Sequence, residues 1–439
     1  MSLRFFLDKA KQHHLLTVIS DEVDPYLEMA KIISRMEDQP LLFERVRGHH
    51  QHVAASVCGA RENLALDLGV EMDQLLFILA EALAHPSTPT VVSSGPCQEV
   101  VEEQIDLDVL PILTHLPQDA GPYITAAVAV TRDPDLGRNV AFHRLLRMDR
   151  SHLVARLVEG RGTDTLVTKS PGDVEVAICI GNSLPVLVAA ATSPPPGEDE
   201  FRIANALRPT SLLKCRTVNL EVPAETEIVL EGRFTGALAP EGPFLDLTGT
   251  LDIVRPGHVI EISCITHRQD TIYQALLPGG QEHKLLMGLP REPTIYAEVS
   301  KVCHCTNVLL TPGAGTWLHG VVQIEKRGTD DGRLAIDAAF RGHPSMKHVV
   351  VVDDDIDIYD PQDVEWAIAT RFQAERDLVV LGDQPSSSLD PSATHVPGEK
   401  TRTSKMGLDA TIPWDRPSGE PRSQEQRQAF KRIRYDPGG

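Results

Sequence analysis

Apolar residues recur at helical spacing in the first part of the chain, and this pattern predicts helices over residues 2–14, 22–37 and 60–84. Short apolar runs between them, such as residues 41–43, predict strands. Helices that alternate with short strands are typical of an α/β domain. We therefore predict a first domain over residues 1–108.

The pattern changes to strands near residue 109. Runs such as Val174–Ile180 and residues 258–263 are rich in β-branched side chains, and turns containing Gly, Pro or Asp separate many of them. One helical pattern, over residues 198–209, interrupts the strands. We therefore predict a mainly β domain over residues 109–300, built as a barrel or a sandwich.

After residue 300 the α/β pattern returns. Residues 348–352 form a continuous apolar run, as expected of a strand that is buried on both faces. Asp360 and Pro361 suit the N-cap and first turn of a helix that extends to about residue 376. The third predicted domain covers residues 301–439, and the predicted fold class is α/β (α+β). Two further predictions for this domain are a Ser-, Pro- and Thr-rich loop over residues 383–402 and a short helix over residues 424–434.

The composition narrows the class of protein. The 439 residues include 62 acidic and 42 basic side chains, and the formal net charge of -20 argues against nucleic-acid binding. No run approaches the roughly 18 apolar residues of a membrane span, and the first residues lack the apolar region of a signal peptide. Seven scattered cysteines are typical of a reducing compartment. We therefore expect a cytoplasmic protein with neither a membrane nor a nucleic acid as partner.

One short stretch, residues 239–249, places Glu241 and Asp246 five positions apart. Gly242 and Pro243 stand between them and predict a turn or a kinked extended segment. Two carboxylates on a stiff turn suit proton transfer. A surface loop between two strands explains the same spacing at least as well, so this stretch alone leaves both interpretations open.

Longer motifs decide between these interpretations. They are RNVAFHR at residues 138–144, VPAETEIVLEG at 222–232, APEGPF at 239–244 and KHVVVVDDDIDIYDPQDVEWAIATRFQAERD at 347–377. Together they resemble the UbiD family of decarboxylases, which use prenylated FMN. The resemblance covers nearly the whole chain.

The resemblance implies a central split β-barrel that binds the flavin and a C-terminal domain that forms a homodimer. The implied reaction is reversible, non-oxidative decarboxylation of an aromatic, heteroaromatic or α,β-unsaturated carboxylic acid through a covalent prenylated-FMN adduct. A cofactor is needed because side chains cannot accept the electrons that CO₂ leaves behind. Family members also bind Mn²⁺ or Mg²⁺ at the cofactor phosphate, with K⁺ as an accompanying ion, and a flavin prenyltransferase supplies the cofactor.

The family's catalytic residues fall on Arg144, Glu241 and Asp246. Arg144 would bind the substrate carboxylate, because a guanidinium fork matches a carboxylate, and Glu241 would hold the guanidinium in place. Asp246 would return a proton to the carbon that loses CO₂, at a position where many members have Glu.

The resemblance also assigns contacts to the cofactor. The residues concerned are Asn139, Val140, Ala141, Phe142, Arg144, Glu200 and Lys405. Of these, Asn139 and Glu200 match metal ligands of the family. The third family ligand, a His, is missing, and Glu159 is the nearest alignable residue. A carboxylate there would suit Mg²⁺ or Mn²⁺.

Residues 279–292 are similar to a segment of family members that act on furan dicarboxylate and related heteroaromatic acids. In those proteins a His and an Arg, spaced like His283 and Arg291, bind the far polar end of the substrate. We therefore predict an aromatic or heteroaromatic acid with a second polar group. A loop whose His and Arg only tie domains together is the alternative.

Two other functions stay open at this point. The predicted β domain resembles the split barrel of flavin reductases, which permits a flavin-dependent oxidoreductase. The missing metal His permits a cofactor-binding protein without turnover. The set Arg144, Glu241 and Asp246 favours acid–base chemistry and hence the decarboxylase.

Overall fold

The computed structural model describes residues 2–172, 174–394, 396, 400–414, 420 and 422–433. The chain forms two compact units, Met1–Pro290 and Arg291–Gly439. Both units mix helices with sheets, which confirms the α/β fold class. The domain boundaries near residues 108 and 300 stay predictions.

The first unit contains a large central sheet and smaller sheets. Its strands are β1 (Thr17–Val23), β2 (Leu41–Val46), β3 (His52–Ala55), β4 (Thr90–Val92), β5 (Val100–Val101), β6 (Tyr123–Ile124), β7 (Val128–Asp133), β8 (Gly137–Phe142), β9 (Leu145–Arg147), β10 (His152–Ala155), β11 (Val174–Ile180), β12 (Ser211–Lys214), β13 (Glu221–Pro223), β14 (Ile228–Glu241), β15 (Phe244–Leu245), β16 (Leu251–Asp252), β17 (Arg255–His267) and β18 (Ile272–Gln274). Its α-helices are α1 (Leu3–Gln12), α2 (Glu28–Ile33), α3 (Arg61–Leu68), α4 (Leu75–Ala84), α5 (Gly162–Lys169), α6 (Leu184–Ala190), α7 (Glu200–Leu207) and α8 (Gln281–Gly288).

The helix predicted over residues 22–37 is wrong in its first part. Strand β1 extends to Val23 and so includes the first two residues of the predicted helix. It pairs in parallel with β2, with Thr17 opposite Leu41. Helix α2 begins only at Glu28. Leu27 has a φ of 65°, which an α-helix does not accommodate. Pairing with β2 is a tertiary contact that helical periodicity does not reveal.

The helix predicted over residues 60–84 is two helices in the structure. Helix α3 ends at Leu68, where Gly69 adopts a φ of 74° and caps the helix. Helix α4 then begins at Leu75. The helices predicted over residues 2–14 and 198–209 are confirmed as α1 and α7.

The central sheet carries the strands that frame the candidate site. Its order is β6-β9-β10-β17-β14-β11-β7-β8, and β5 also pairs with β17. Each neighbouring pair is antiparallel, and the long strands β14 and β17 pair from Ile228 opposite His267 to Glu241 opposite Arg255. One face packs into a hydrophobic core around fully buried side chains such as Leu230. Near the strand end at Glu241, a separate small hydrophobic cluster forms from Tyr123, Leu146, Val154 and Phe244.

The second unit is built on one sheet, with the order β19-β20-β21-β23-β22. Its strands are β19 (His304–Leu310), β20 (His319–Glu325), β21 (His348–Asp353), β22 (Leu378–Pro385) and β23 (Arg402–Asp409). Its α-helices are α9 (Glu292–Ser300), α10 (Asp331–Gly342), α11 (Pro361–Arg371), α12 (Ala374–Asp377) and α13 (Gln424–Ala429). Strand β21 runs parallel to β20 and to β23, and its valines are buried, as the apolar run predicts.

Two predictions for the second unit are met only in part. The loop predicted over residues 383–402 begins within β22, and residues 395 and 397–399 lie outside the described residues. The tail helix ends at Ala429, and Arg434, its predicted end, also lies outside them. Among the helices that the structure describes, none combines the length and apolar content needed to cross a bilayer.

Candidate active site

The three predicted catalytic residues come together although they are far apart in the sequence. Arg144 lies in the short connection between β8 and β9, and Glu241 is the last residue of β14. Asp246 follows in the hairpin that β15 and β16 form. Arg144 contacts both carboxylates.

Arg144 forms a two-pronged ion pair with Glu241. Its Nε donates to Oε1 at 2.9 Å, and its Nη2 donates to Oε2 at 2.9 Å. The Oη of Tyr123 donates to Oε1 at 3.1 Å, and the ring centre of Phe244 lies 4.7 Å from the guanidinium carbon. Because Glu241 is 0% exposed, these partners take the place of the water that would otherwise solvate its carboxylate. Together the contacts fix the plane of the guanidinium.

A sharp turn at Gly242 separates the two acids, as the sequence predicts. Gly242 has a φ of 91°, and a Cβ at this position would lie 2.9 Å from the carbonyl oxygen of Ile253. Glycine is therefore the residue that fits. The N–H of Gly242 donates to the Oη of Tyr123 at 3.1 Å, so the same tyrosine holds both the turn and Glu241.

Two further carboxylates face Arg144. Oδ2 of Asp246 lies 3.4 Å from Nη1, and Oδ2 of Asp252 accepts from Nη2 at 2.7 Å. Burial opposes the charge of Arg144, but the hydrogen bonds and charges of Glu241 and Asp252 outweigh it and raise the pKa of the guanidinium. Arg144 is therefore a permanent cation, and Nη1 is its least engaged nitrogen.

Tyr123 and Asp252 are site residues that the sequence interpretation missed. Asp252 lies opposite Phe244 in the β15–β16 pair, six positions after Asp246. The turn residue Gly249 is a local signal that the chain folds back there. Tyr123 carries no local signal, because it reaches Glu241 from a strand 118 positions away.

His283 lies on α8, and Gly279, in the turn that precedes this helix, lies against the backbone of Asp246. The N–H of Gly279 donates to Nδ1 of His283 at 3.0 Å, so Nε2 carries the hydrogen of the neutral ring. A Cβ on Gly279 would lie 3.1 Å from the carbonyl oxygen of Asp246. Burial lowers the pKa of His283, and the charge of Arg144 adds to this while Asp246 opposes it. Arg291, its predicted partner, belongs to the second unit.

Two acids anchor the beginning of α8. Glu37 accepts the N–H of Gln281 at 2.7 Å, and Glu282 accepts the N–H of Cys58 at 2.9 Å. Burial raises the pKa of Glu282 to about 7, although backbone N–H groups of residues 56–58 act in the opposite direction. These contacts hold the helix that presents the histidine.

The raised pKa of Glu282 predicts a change in stability with pH. A carboxyl group whose pKa is higher in the folded chain binds more protons when folded, so its stabilisation falls as pH rises from 4.5 to about 7. We expect Glu282→Gln, which cannot ionise, to lose less stability than the wild type over this window. Urea unfolding at about pH 5 and about pH 8 measures the difference. Glu62→Gln, at an exposed position, is the control, and identical pH dependence of all three proteins would contradict the prediction.

The predicted ligands Asn139 and Glu200 lie along β8 and at the start of α7. Glu200 accepts the N–H of Val140 at 2.9 Å. Nδ2 of Asn139 donates to Oγ1 of Thr163 at 3.0 Å, and the same hydroxyl lies 3.0 Å from Nε2 of His143. Burial raises the pKa of Glu200 to about 8, so a cation beside it would be favourable. His143 is a neighbour of Asn139 to which the sequence interpretation gave no role.

Glu159 and Lys405 have other partners in the structure. The side chain of Glu159 is 73% exposed and pairs with Arg156 at 3.2 Å. Lys405 belongs to the second unit, where its Nζ donates to the carbonyl oxygen of Pro344 at 2.6 Å and burial lowers its pKa to about 8. Among the described side chains, no three His, Cys, Asp or Glu residues gather as metal ligands. The metal set of Asn139, Glu200 and Glu159 stays a prediction.

Family models match nearly the whole chain. The N-terminal domain of 3-octaprenyl-4-hydroxybenzoate carboxy-lyase matches residues 7–83, its Rift-related domain residues 90–281 and its C-terminal domain residues 284–410. The fold and these matches define a carboxy-lyase of the decarboxylase type. The chain belongs to the UbiD family, as its motifs predict.

Individual relatives agree with this assignment. The anhydromevalonate phosphate decarboxylase of Methanothermobacter thermautotrophicus is 40% identical over 94% of this chain and 97% of its own. The protein of the same name from Methanosarcina mazei is 41% identical over 94% and 96%. The UbiD-class enzyme HmfF from Pelotomaculum thermopropionicum, solved in complex with FMN, is 38% identical with a TM-score of 0.92, over 100% of this chain and 98% of its own. The 3,4-dihydroxybenzoic acid decarboxylase AroY of Klebsiella pneumoniae is 27% identical with a TM-score of 0.89, over 99% and 97%.

Proposed function

We propose that this chain decarboxylates an α,β-unsaturated carboxylic acid that carries a phosphate ester, with prenylated FMN and a divalent cation as cofactors. The main support for decarboxylation is the arrangement around Arg144: two hydrogen bonds to Glu241 fix the guanidinium, and Asp246 lies beside its Nη1. The name anhydromevalonate phosphate supports the substrate class, because loss of water from a 3-hydroxy acid leaves a double bond conjugated to the carboxyl group. The alternative is the aromatic or heteroaromatic acid that the sequence around His283 favours.

Arg144 receives the substrate carboxylate at Nη1. Its Nε and Nη2 already donate to Glu241, and attraction between opposite charges is stronger in a buried site than in water. A carboxylate at Nη1 lies beside Asp246, whose Oδ2 is 3.4 Å from the same nitrogen. The leaving group and the proton donor therefore lie on the same side of the guanidinium.

Asp246 delivers the proton that replaces CO₂. Its Oδ1 accepts the N–H of Leu247 at 2.6 Å, so Oδ2 is the oxygen that faces Arg144 and the substrate. The carbonyl oxygen of Thr250 accepts the N–H of Asp246 at 3.0 Å. These backbone contacts hold the acid in one orientation, and a positioned acid is what proton transfer requires.

The residues around β8 fit a flavin phosphate with a divalent cation. Glu200 is a buried carboxylate that accepts a backbone N–H from Val140, and Asn139 carries an amide oxygen on the neighbouring residue. Oxygen ligands of these kinds suit Mn²⁺ and Mg²⁺. When bound, prenylated FMN supplies the electron sink that loss of CO₂ from an unsaturated carbon requires. Solved relatives in complex with FMN and with prFMN support this choice.

His283 and Arg291 are our candidates for the phosphate end of the substrate. His283 offers its Nε2–H as a neutral donor, since Gly279 occupies Nδ1. Arg291 offers a planar fork, which matches phosphate as well as carboxylate. Within the second unit its guanidinium carbon lies 5.7 Å from the ring centre of Trp317. A flavin prenyltransferase as cofactor supplier and a homodimer formed by residues 301–439 are further parts of the proposal that rest on the family resemblance.

Release of CO₂ by protein reconstituted with prenylated FMN and Mn²⁺ tests the proposal. We expect turnover of anhydromevalonate phosphate, and a kcat/KM at least about 10-fold lower for the unphosphorylated acid, because hydrogen bonds to charged groups contribute roughly 1.5–3 kcal/mol. Arg291→Ala should lower kcat/KM for the phosphorylated acid alone. Arg341→Ala, in the same unit and half exposed, is the control.

Other outcomes separate the alternatives. Preferential turnover of furan dicarboxylate or of an aromatic acid would overturn the phosphate ester and retain the decarboxylase. Oxidation of NAD(P)H without CO₂ release from any acid would favour the oxidoreductase. Equal losses for both acids in Arg291→Ala would remove Arg291 from the phosphate end.

A further inference from the structure

The hydrogen bonds of Arg144 leave one direction for a substrate. A guanidinium carries five N–H donors, one on Nε and two on each Nη. Nε and one hydrogen of Nη2 donate to Glu241, and the second hydrogen of Nη2 donates to Asp252 at 2.7 Å. Among the residues that the structure describes, the polar contact of Nη1 is the one of 3.4 Å with Asp246. Asp252 therefore occupies the donor that would otherwise compete with Nη1 for a carboxylate.

We propose that Asp252 is a positioning residue that directs the substrate carboxylate to Nη1, beside the proton donor. The inference rests on the proposed function, in which Arg144 receives that carboxylate. With Nη2 free, a carboxylate could bind across Nη1 and Nη2 in the fork geometry that arginine favours. Such a pose places the carboxylate between Nη1 and Nη2 instead of at Nη1, the nitrogen that Asp246 contacts. Asp252 prevents it by filling Nη2.

The position of Asp252 is well defined by its own partners. Its Oδ1 accepts the N–H of Ile253 at 2.9 Å and a hydrogen bond from Nη2 of Arg255. Oδ2 is left for Arg144. Asp252 also lies opposite Phe244 in the hairpin, so backbone pairing sets the direction of its side chain. These contacts divide its two oxygens between two arginines.

The negative charge of Asp252 should weaken substrate binding, while the position of its side chain should speed turnover. Glu241, Asp246 and Asp252 place three carboxyl groups around Arg144, and Arg255 adds a second cation. A carboxylate substrate adds another negative charge, which Asp252 repels. Removing the charge of Asp252 should therefore strengthen substrate binding. It should also slow the reaction, because a substrate bound in the wrong pose does not gain from correct orientation.

Steady-state kinetics of reconstituted Asp252→Asn test this inference, with the acid that the wild type turns over fastest. We expect KM to fall about 2–10-fold and kcat to fall at least about 10-fold, the combination that indicates lost ground-state repulsion together with lost orientation. Asp252→Glu, which keeps the charge, should retain a KM within about 2-fold of the wild type. Asp108→Asn, which removes a carboxylate paired with Arg147 and Arg150 outside the site, should change neither constant.

The outcomes distinguish this inference from the proposed function. A wild type that releases no CO₂ from any acid overturns both. An active wild type whose Asp252→Asn variant has an unchanged or raised KM overturns the positioning role alone, and so does an unchanged kcat. If Asp252→Asn does not fold, Asp252→Ser removes the same charge with a smaller side chain and is judged by the same two constants.

Discussion

Asp246→Asn is expected to lower kcat for decarboxylation by a factor of about 10²–10⁴, the range typical of a lost general acid. The amide keeps the shape of the side chain and can still accept the N–H of Leu247. It has no acidic proton to transfer to the carbon that loses CO₂. The measurement is CO₂ release together with deuterium incorporation at the product carbon in D₂O.

Asp246→Glu is the matched variant, because it carries the acid that many family members have at this position. We expect it to retain part of the activity, since the acid is present but lies one methylene further along the side chain. Thermal melting of both variants checks that the hairpin still folds. Full decarboxylation and full H/D exchange in Asp246→Asn would remove the proton-donor role from Asp246.

Arg144→Met is expected to lower the free energy of unfolding by about 3–5 kcal/mol and to abolish decarboxylation. The variant leaves Glu241, which is 0% exposed, without its cation. A buried carboxylate without a cation to pair with is strongly unfavourable, whereas an exposed one is solvated by water. Urea unfolding measures the loss of stability, and CO₂ release after reconstitution measures the loss of activity.

Arg147→Met is the control for this prediction. Arg147 lies three positions further along and pairs with Asp108, where both side chains are partly exposed, so its loss should cost only about 0–1 kcal/mol. The double variant Arg144→Met with Glu241→Gln should regain much of the stability but no activity, because the buried charge is then removed. Equal stability of Arg144→Met and Arg147→Met would contradict the buried pair.

Local patterns in the sequence predicted a large part of the fold. The apolar run at residues 348–352 predicts a strand buried on both faces, and β21 is that strand. The β-branched run Val174–Ile180 is β11. Both predictions are confirmed because the pattern of apolar residues indicates which faces of a strand are buried. Alternating apolar positions indicate one buried face, and a continuous run indicates two.

Residues of the candidate site could be predicted from the sequence only where they belong to a motif of the family. Arg144, Glu241 and Asp246 were found through family resemblance, and the structure brings them together. Asp252 was missed, because its contact with Arg144 depends on the pairing register of a two-stranded hairpin. Tyr123 was missed because β6 and β14 are distant in the sequence.

The sequence by itself determined the family, the α/β class, the turn at Gly242 and the acids on either side of it. These features follow from local chemistry, since side-chain periodicity and backbone restrictions act over a few residues. Only the tertiary structure decided that residues 17–23 form a strand, that Asp252 shares Arg144 and that Glu282 anchors α8. Each depends on a partner from another part of the chain, and the burial of a charge is known only once that partner is in place.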